Sequence, residues 1–203
     1  MAGSTPEKPD RFTPGSRHRS RTHEAPESAE ERRGCRDADE QLLLGFRLMK
    51  RLLHSEELSD DTGAVHREVT ALMKRLDVPG TLELTGASGT PGALTKGDID
   101  LHLRVEAVDF VAVLARLDEV LSRINLDAWA ATLAVFAVPA HRTTELAVTP
   151  IGSEHDRRFR LAWERLRSEP ELLSEYNELK LRAFGTPPYD SLKSDFFTSI
   201  TVR

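Results

Sequence analysis

An alternating strand pattern follows a glycine-rich segment in the middle of this chain, and this combination constrains the fold more than any other feature. Residues 98–105 read Asp-Ile-Asp-Leu-His-Leu-Arg-Val, with polar and apolar side chains in strict alternation. Alternation with a period of two predicts a β-strand with one buried face. Residues 86–97 are mostly small and predict a loop, and the β-prone residues 81–85 come before it. The side chains of Asp98 and Asp100 therefore leave the strand on the same face.

Two carboxylates on one face of a strand predict a divalent-cation site. Neighbouring acidic groups repel each other, so each resists ionisation beside the other. A divalent cation removes that conflict, and magnesium commonly takes one or two carboxylates together with substrate phosphates. The glycine-rich turn exposes backbone N–H groups that suit phosphate oxygens. We therefore expect Gly86, Ala87 and Ser88 to bind the phosphates of a nucleotide, and Asp98 and Asp100 to bind Mg²⁺, as one ion or two.

Helical and strand patterns surround this segment. Apolar residues at three- and four-residue spacing predict helices at residues 42–53, 65–76, 110–124, 154–167 and 168–185, and another after residue 188. We expect Asp109 to cap the third helix, and Ser168 and Glu171 to form a capping box at the fifth. Residues 132–138 and 143–148 are strand candidates separated by a turn, which predicts a hairpin. This order predicts a small α+β domain with a mixed β-sheet, flanking helices and a C-terminal helical cap.

The N-terminal part of the chain has a different composition. Residues 13–41 contain no Ile, Leu, Val, Met, Phe, Tyr or Trp. Such a segment cannot bury enough apolar surface to offset the entropy of ordering it, so we expect residues 1–36 to form a disordered tail and residues 37–203 to form the domain. The mixed charges favour a solvated tail, and contact of the basic cluster at residues 17–21 with phosphate or with a protein partner stays open. The single cysteine, Cys35, cannot form an internal disulfide or a cysteine zinc cluster.

Charge and hydropathy exclude several classes of function. The net charge of −5 argues against a nucleic-acid partner, which usually needs a basic surface. No apolar run approaches the roughly 18–20 residues of a membrane span, and the first residues lack the apolar region of a secretory signal. We therefore expect a cytoplasmic protein with no membrane partner.

The glycine-rich turn followed by Asp-x-Asp resembles the pattern of the nucleotidyltransferase superfamily, and residues 86–200 resemble the GrpB family within it. The residues that carry this resemblance are Gly86, Pro91, Gly92, Lys96, Asp100, Leu101, residues 166–172, Glu175, Tyr176, Leu179, Lys180, Tyr189, Lys193, Phe197 and Ile200. The resemblance implies a nucleotidyltransferase-like fold, and it marks Lys180 and Lys193 as phosphate ligands. The chain departs from the family at Ala87, where a hydroxyl residue is usual, and at Asp98, where many relatives carry an apolar residue.

Further site residues follow from the strand assignments. Two-metal chemistry needs a third carboxylate, and Glu145 is the only acid within residues 132–148. We assign Glu145 as the third metal ligand or the general base, and its alternative role is an exposed strand residue. Lys96, next to the acids, is a phosphate-ligand candidate. His102 lies on the same strand face as Asp100, and we expect it to be structural rather than catalytic.

Two functional hypotheses remain open at the level of sequence. The first is a magnesium-dependent enzyme that transfers a nucleotidyl group from a nucleoside triphosphate, foremost ATP, to a small-molecule acceptor. That reaction includes the adenylylation of an acid on the way to an amide or ester. The second is a degenerate nucleotidyltransferase fold that binds a nucleotide or a protein without catalysis. The pair Asp98 and Asp100 supports the enzyme, whereas Ala87 supports the non-catalytic protein.

Overall fold

A five-stranded mixed sheet organises residues 51–202, the part of the chain that the computed structural model describes. The strands, in chain order, are β1 (Leu53–His54), β2 (Thr81–Thr85), β3 (Leu94–Thr95), β4 (Ile99–Val105), β5 (Ser122–Arg123), β6 (Ala134–Val138) and β7 (Thr144–Pro150). The large sheet has the order β2-β4-β7-β6-β5, in which β4 and β7 are parallel and all other neighbours antiparallel. Strands β1 and β3 form a separate antiparallel pair.

Residues 51–202 also contain five helices. They are α1 (Ser59–Arg75), α2 (Phe110–Asp118), α3 (Glu154–Ser168), α4 (Pro170–Ala183) and α5 (Tyr189–Val202), and short 3-10 turns occupy Ser55–Leu58 and Leu126–Ala128. None of the helices within residues 51–202 combines the length and the apolar character that crossing a membrane would require.

The alternation in β4 separates two different layers. Its apolar side chains are at most 1% exposed, and they pack with α1 and α2 in the main core; they are Ile99, Leu101, Leu103 and Val105. The polar side chains of Asp100, His102 and Arg104 must then point to the opposite face. There Arg104 forms an ion pair with Asp156 of α3, with 2.6 Å between Nε and Oδ1. This buried pair attaches the helical layer to the polar face of the sheet.

Helices α3, α4 and α5 form a second core around Tyr176, which is 1% exposed. The ring of Trp163 meets the Tyr176 ring edge-on at 5.9 Å, and Phe196 stacks on it at 5.5 Å. Ala87 and Ala93, from the segment between β2 and β4, are buried in the same cluster. The glycine-rich segment is therefore fixed by the C-terminal helices as well as by the sheet.

The α+β class, the hairpin of β6 and β7 and the C-terminal helical layer agree with the sequence predictions. The predicted tail, residues 1–36, and the start of the predicted helix at residues 42–53 lie outside the described residues. The end of that helix is wrong, because Leu53 is in a strand and pairs with Thr95.

Two predicted helix ends also differ from the structure. The capping box at Ser168 does not form, because the Ser168 hydroxyl donates to the Glu164 carbonyl, and α4 begins with Pro170 after Glu169 at the N-cap. Asp109 stands at the N-cap of α2 but makes no capping hydrogen bond with its side chain. That helix ends at Asp118, since residues 122–123 pair with β6.

Candidate functional site

Strand pairing places two of the predicted carboxylates side by side. Asp100 of β4 is in register with Glu145 of the parallel strand β7, and Thr85 of β2 is opposite Asp100 on the other side. Neighbouring strands lie about 5 Å apart, and residues in register point to the same face. We call Asp100 and Glu145 the carboxylate pair. Asp98 comes two residues earlier, just before β4, with its side chain 14% exposed.

The electrostatics of Asp100 reflect this crowding. Burial and the negative charge of Asp98 raise the pKa of Asp100 to about 6, and Glu145 adds to the increase. The positive charges of Lys193 and Lys96 act in the opposite direction but do not cancel it. The two lysines therefore do not fully compensate the burial of Asp100 and the negative charges beside it.

The turn after β2 approaches the Asp100 carboxylate closely because residue 86 is glycine. Gly86 has φ of +71°, and a Cβ at this position would lie 2.6 Å from Asp100 Cγ. The turn is held by Thr90, a fully buried residue whose hydroxyl donates to the Gly86 carbonyl at 2.9 Å. The structure therefore brings the predicted phosphate-binding turn directly against the predicted metal ligand.

The next two residues of this turn differ in their surroundings. Ala87 is 6% exposed and packs into the core of the C-terminal helices. Ser88 is 5% exposed, and its hydroxyl has no hydrogen-bond partner among the residues that the structure describes. A buried hydroxyl without a partner is energetically unfavourable, which makes Ser88 a group that a ligand or water could satisfy.

Lys96 lies among the acids. Its ammonium is 3.1 Å from Asp98 Oδ2, and its side chain is 47% exposed. Burial lowers its pKa, but the charges of Asp98, Asp100 and Glu145 raise it, and the net shift is upward. Lys96 is therefore a positively charged neighbour of all three predicted metal ligands.

Lys180 occupies a different environment from the one expected of a phosphate ligand. It is 3% exposed, its ammonium donates to the Leu94 carbonyl at 2.6 Å, and it lies 4.7 Å from the centre of the Tyr176 ring. Burial and the charge of Lys193 lower its pKa to about 7, although Asp98 and Asp100 oppose this. In this structure Lys180 holds β3 against α4.

Asn177, one turn before Lys180 on α4, completes that attachment. Its side-chain oxygen accepts from the Leu94 N–H, and its amide nitrogen donates to the Gly92 carbonyl, both at 2.8 Å. Lys180 and Asn177 together bind the segment that leads directly into Lys96 and Asp98. No motif in the sequence indicated Asn177, because its partners are backbone groups more than 80 residues away.

A cavity of about 580 Å³ lies between the polar face of the sheet and helices α3 and α5. Gly86, Asp100, Glu145 and Lys193 line it, whereas Ala87, Ser88, Lys96, Asp98 and Lys180 are not among its lining residues. Its size is typical of small-molecule sites. Gly86, the carboxylate pair and Lys193 thus face a ligand-sized space, and the other predicted site residues do not.

Three residues that line the cavity were not predicted from the sequence. Asn125 donates from its side chain to Glu145 Oε2 at 3.4 Å from a position with φ of +50°. Arg158 and Asp190 line the cavity from α3 and α5. None belongs to a motif, because the helical layer brings each of them to the sheet only through tertiary packing.

His102 is structural, as expected. It is 1% exposed, its Nε2 is 2.7 Å from the Thr149 hydroxyl, and the Phe159 ring lies 5.6 Å away. Burial lowers its pKa to about 4, so the imidazole is neutral near pH 7.

Comparison with solved structures identifies the fold. The chain is similar to the GrpB protein from Enterococcus faecalis, with a TM-score of 0.52 and 14% identity, covering 67% of this chain and 89% of that one. The predicted GrpB-like α+β fold is thereby confirmed.

Two other structures match with lower scores. Cid1, described by its RNA terminal uridylyl transferase activity, has a TM-score of 0.42 and 14% identity over 71% of this chain and 46% of its own. The GLD-2/RNP-8 complex has a TM-score of 0.38 and 15% identity over 78% of this chain and 68% of the matched one. No protein-family model matches the chain. No curated protein matches it in sequence.

Proposed function

We propose that this protein is a magnesium-dependent enzyme that transfers a nucleotidyl group from a nucleoside triphosphate, foremost ATP, to a small-molecule acceptor. The observation that carries the proposal is the carboxylate pair. Asp100 and Glu145 are in register on parallel strands, beside the Gly86 turn, and both line a cavity of about 580 Å³.

The residues around the carboxylate pair fit magnesium that arrives with a triphosphate. The raised pKa of Asp100 reflects burial and uncompensated negative charge, which a divalent cation would relieve. Within residues 51–202, no three acidic, histidine or cysteine side chains are grouped closely enough to hold a metal ion by themselves. Magnesium usually completes its octahedron with water and substrate phosphates rather than with a protein cage. These acids would bind magnesium in pairs, Asp98 with Asp100 for one ion and Asp100 with Glu145 for a second.

The remaining residues would act on the substrate directly. When bound, magnesium would offset phosphate charge and favour ionisation of the acceptor hydroxyl. Lys193, which lines the cavity and acts electrostatically on Asp100, would contact the triphosphate, and Lys96 would join it from the rim. Backbone N–H groups of Gly86, Ala87 and Ser88 would bind phosphate oxygens. Glu145 would accept the acceptor's proton.

Lys180 takes another role in this proposal. Its ammonium is already bonded to the Leu94 carbonyl in a buried position, so it is not available to a phosphate in this structure. It would instead support the site by holding β3, which leads directly into Lys96, Asp98 and strand β4.

A second candidate function is a nucleotidyltransferase-like protein that binds a nucleotide or a partner without catalysis. The ion pair between Lys96 and Asp98 favours it, because a lysine already neutralises one of the two motif acids. The burial of Ala87 favours it as well, since the family's usual hydroxyl is missing at that point of the turn.

The two functions are separated by measuring pyrophosphate release from ATP and Mg²⁺ with a panel of hydroxyl and carboxylate acceptors. The enzyme proposal expects turnover by the full chain and its loss in Asp98→Ala and Asp100→Ala. Glu106→Ala is the matched control, because Glu106 is an exposed acid just beyond the opposite end of β4. Binding of ATP without pyrophosphate release from any acceptor would support the non-catalytic function.

A further inference from the structure

The side chain of Lys96 contacts one of the two motif acids directly. Its ammonium is 3.1 Å from Asp98 Oδ2. Within residues 51–202, this is the only ion pair that any of the three predicted metal ligands makes. The protein therefore supplies a cation of its own to a carboxylate that we expect to bind magnesium.

The charge of Lys96 also acts on the carboxylate pair, but it satisfies these acids only in part. Asp98, Asp100 and Glu145 together raise the pKa of Lys96, so its ammonium stays positively charged. The pKa of Asp100 nevertheless remains raised to about 6 with this lysine in place. One monovalent cation thus occupies the site without removing the repulsion that a divalent cation would remove.

The backbone on both sides of Lys96 is fixed. Thr95 is fully buried and pairs with Leu53, and its hydroxyl accepts from the Gly97 N–H at 3.1 Å. Both backbone groups of Leu94 are bonded to side chains of α4. The Lys96 side chain itself is 47% exposed and has a flexible four-carbon stem. A change in what its ammonium contacts would therefore come from rotation of the side chain alone.

The ion pair of Lys96 has the character of an exchangeable contact. A half-exposed pair is worth only about 0–1 kcal/mol. The pair of Arg104 and Asp156 on the same face of the sheet is different, because it has two hydrogen bonds and both side chains are at most 14% exposed. A lysine ammonium has three donors and binds phosphate oxygens well once it is released.

We propose that Lys96 is a placeholder cation that couples metal binding to triphosphate binding. It neutralises Asp98 while magnesium is absent, leaves that carboxylate when magnesium binds, and then contacts the triphosphate. This inference rests on the proposed function for the metal and for the triphosphate. It also removes the conflict between the ion pair and catalysis, because the pair exists only before the metal binds.

The test is calorimetric titration of the full chain and of Lys96→Met, with Mg²⁺ alone and then with inorganic triphosphate at saturating Mg²⁺. Methionine keeps an unbranched side chain of similar length and removes the charge. We expect Lys96→Met to bind Mg²⁺ alone up to about fivefold more tightly, because the competing ion pair is gone. It should bind triphosphate about tenfold more weakly, because one charge-assisted contact is lost.

Two further lysine variants are controls. Lys193 acts electrostatically on Asp100 but forms no ion pair with a predicted metal ligand in the part of the chain that the structure describes. Lys193→Met therefore measures the effect of charge alone on Mg²⁺ affinity, and we expect it to be smaller than that of Lys96→Met. Lys74 is exposed on α1, which packs on the opposite face of the sheet, so Lys74→Met should change neither affinity.

Four results would overturn the inference. They are a Mg²⁺ affinity of Lys96→Met no higher than that of Lys193→Met, no binding of Mg²⁺ to Lys96→Met, an unchanged triphosphate affinity in Lys96→Met, and no binding of triphosphate to the native chain. An unchanged triphosphate affinity would mean that the ion pair is permanent. Failure of the proposed function is distinguishable, because it is measured by pyrophosphate release from ATP. Inorganic triphosphate has no nucleotidyl group to transfer, so it reports the exchange of Lys96 whether or not the protein is an enzyme.

Discussion

At the scale of single residues, Gly86 allows the turn after β2 to pack directly against the Asp100 carboxylate. Its backbone has positive φ, and the space where a Cβ would lie is occupied by the Asp100 side chain. Any other residue would have to displace either the turn or the carboxylate. The close approach of the phosphate-binding turn to the metal ligand therefore depends on the absence of a side chain.

We expect Gly86→Ala to lower the free energy of unfolding by about 3 kcal/mol, because backbone strain adds to steric overlap. Gly152→Ala is the matched control. Gly152 also has positive φ, +74°, but a methyl group added there would meet nothing within 4 Å, so the expected loss is about 1 kcal/mol. Urea unfolding of both variants measures the difference. Equal losses would mean that the Asp100 contact is not what restricts residue 86.

Asp100 should make stability depend on pH in an identifiable window. Its pKa is about 6 in the folded protein and 3.8 ordinarily, so between these values the folded state binds more protons than the unfolded state. Stability contributed by this group therefore falls as pH rises from 4 to 6, and the cost is complete above pH 6.

Asp100→Asn cannot ionise, and we expect it to be more stable than the native chain at pH 7 by roughly 1–3 kcal/mol and similar to it near pH 4. Urea unfolding of both proteins at pH 4, 5, 6 and 7 tests this. A stability difference that stays constant with pH would refute the proposed origin of the raised pKa.

At the scale of elements, helix α4 holds the segment that leads into strand β4. Lys180 and Asn177 bond three backbone groups of Gly92 and Leu94, and Glu56 accepts a fourth bond from the Gly92 N–H at 2.6 Å. A buried lysine is costly unless it is hydrogen-bonded, so this attachment is a specific feature rather than a surface contact.

We expect Asn177→Ala to destabilise the protein by about 1–3 kcal/mol, because the buried Leu94 N–H loses its acceptor. Hydrogen exchange at the Leu94 amide should become faster, while exchange in β7 should stay unchanged at low denaturant. Asn125→Gly, which removes one long exposed contact at 3.4 Å and keeps a residue that tolerates the φ of +50°, should change stability by less than about 0.5 kcal/mol. Unchanged exchange at Leu94 would contradict the attachment.

Elements could be predicted from sequence where local pattern and tertiary packing agree. The alternation in β4 predicted its two faces correctly, since each apolar residue from Ile99 to Val105 is buried in the main core. Leu53 followed a helical spacing but pairs with Thr95, because strand pairing at a distance overrides local periodicity. Ser168 had the sequence of a cap, yet its hydroxyl bonds back to Glu164 within α3.

At the scale of the whole molecule, the sheet and the C-terminal helices together create a site that neither contains alone. The sequence indicated Asp100 and Glu145, and the parallel register of β4 and β7 sets them side by side. It did not indicate Arg158 or Asn125, because lone polar residues on a helix or in a turn carry no local signal. It also suggested a phosphate role for Lys180, whereas tertiary packing buries its ammonium on the Leu94 carbonyl.

The most direct test of the central claim is calorimetric titration of the full chain with ATP, with and without Mg²⁺, compared with the Asp98→Ala/Asp100→Ala double variant. Glu106→Ala serves as the control for the loss of an acid at the other end of the same strand. We expect magnesium-dependent binding that the double variant loses and the control retains. An ATP affinity that does not depend on magnesium, or that is unchanged in the double variant, would contradict a metal–nucleotide site at the carboxylate pair. Failure to bind any nucleoside triphosphate would mean that the chain shares only the fold.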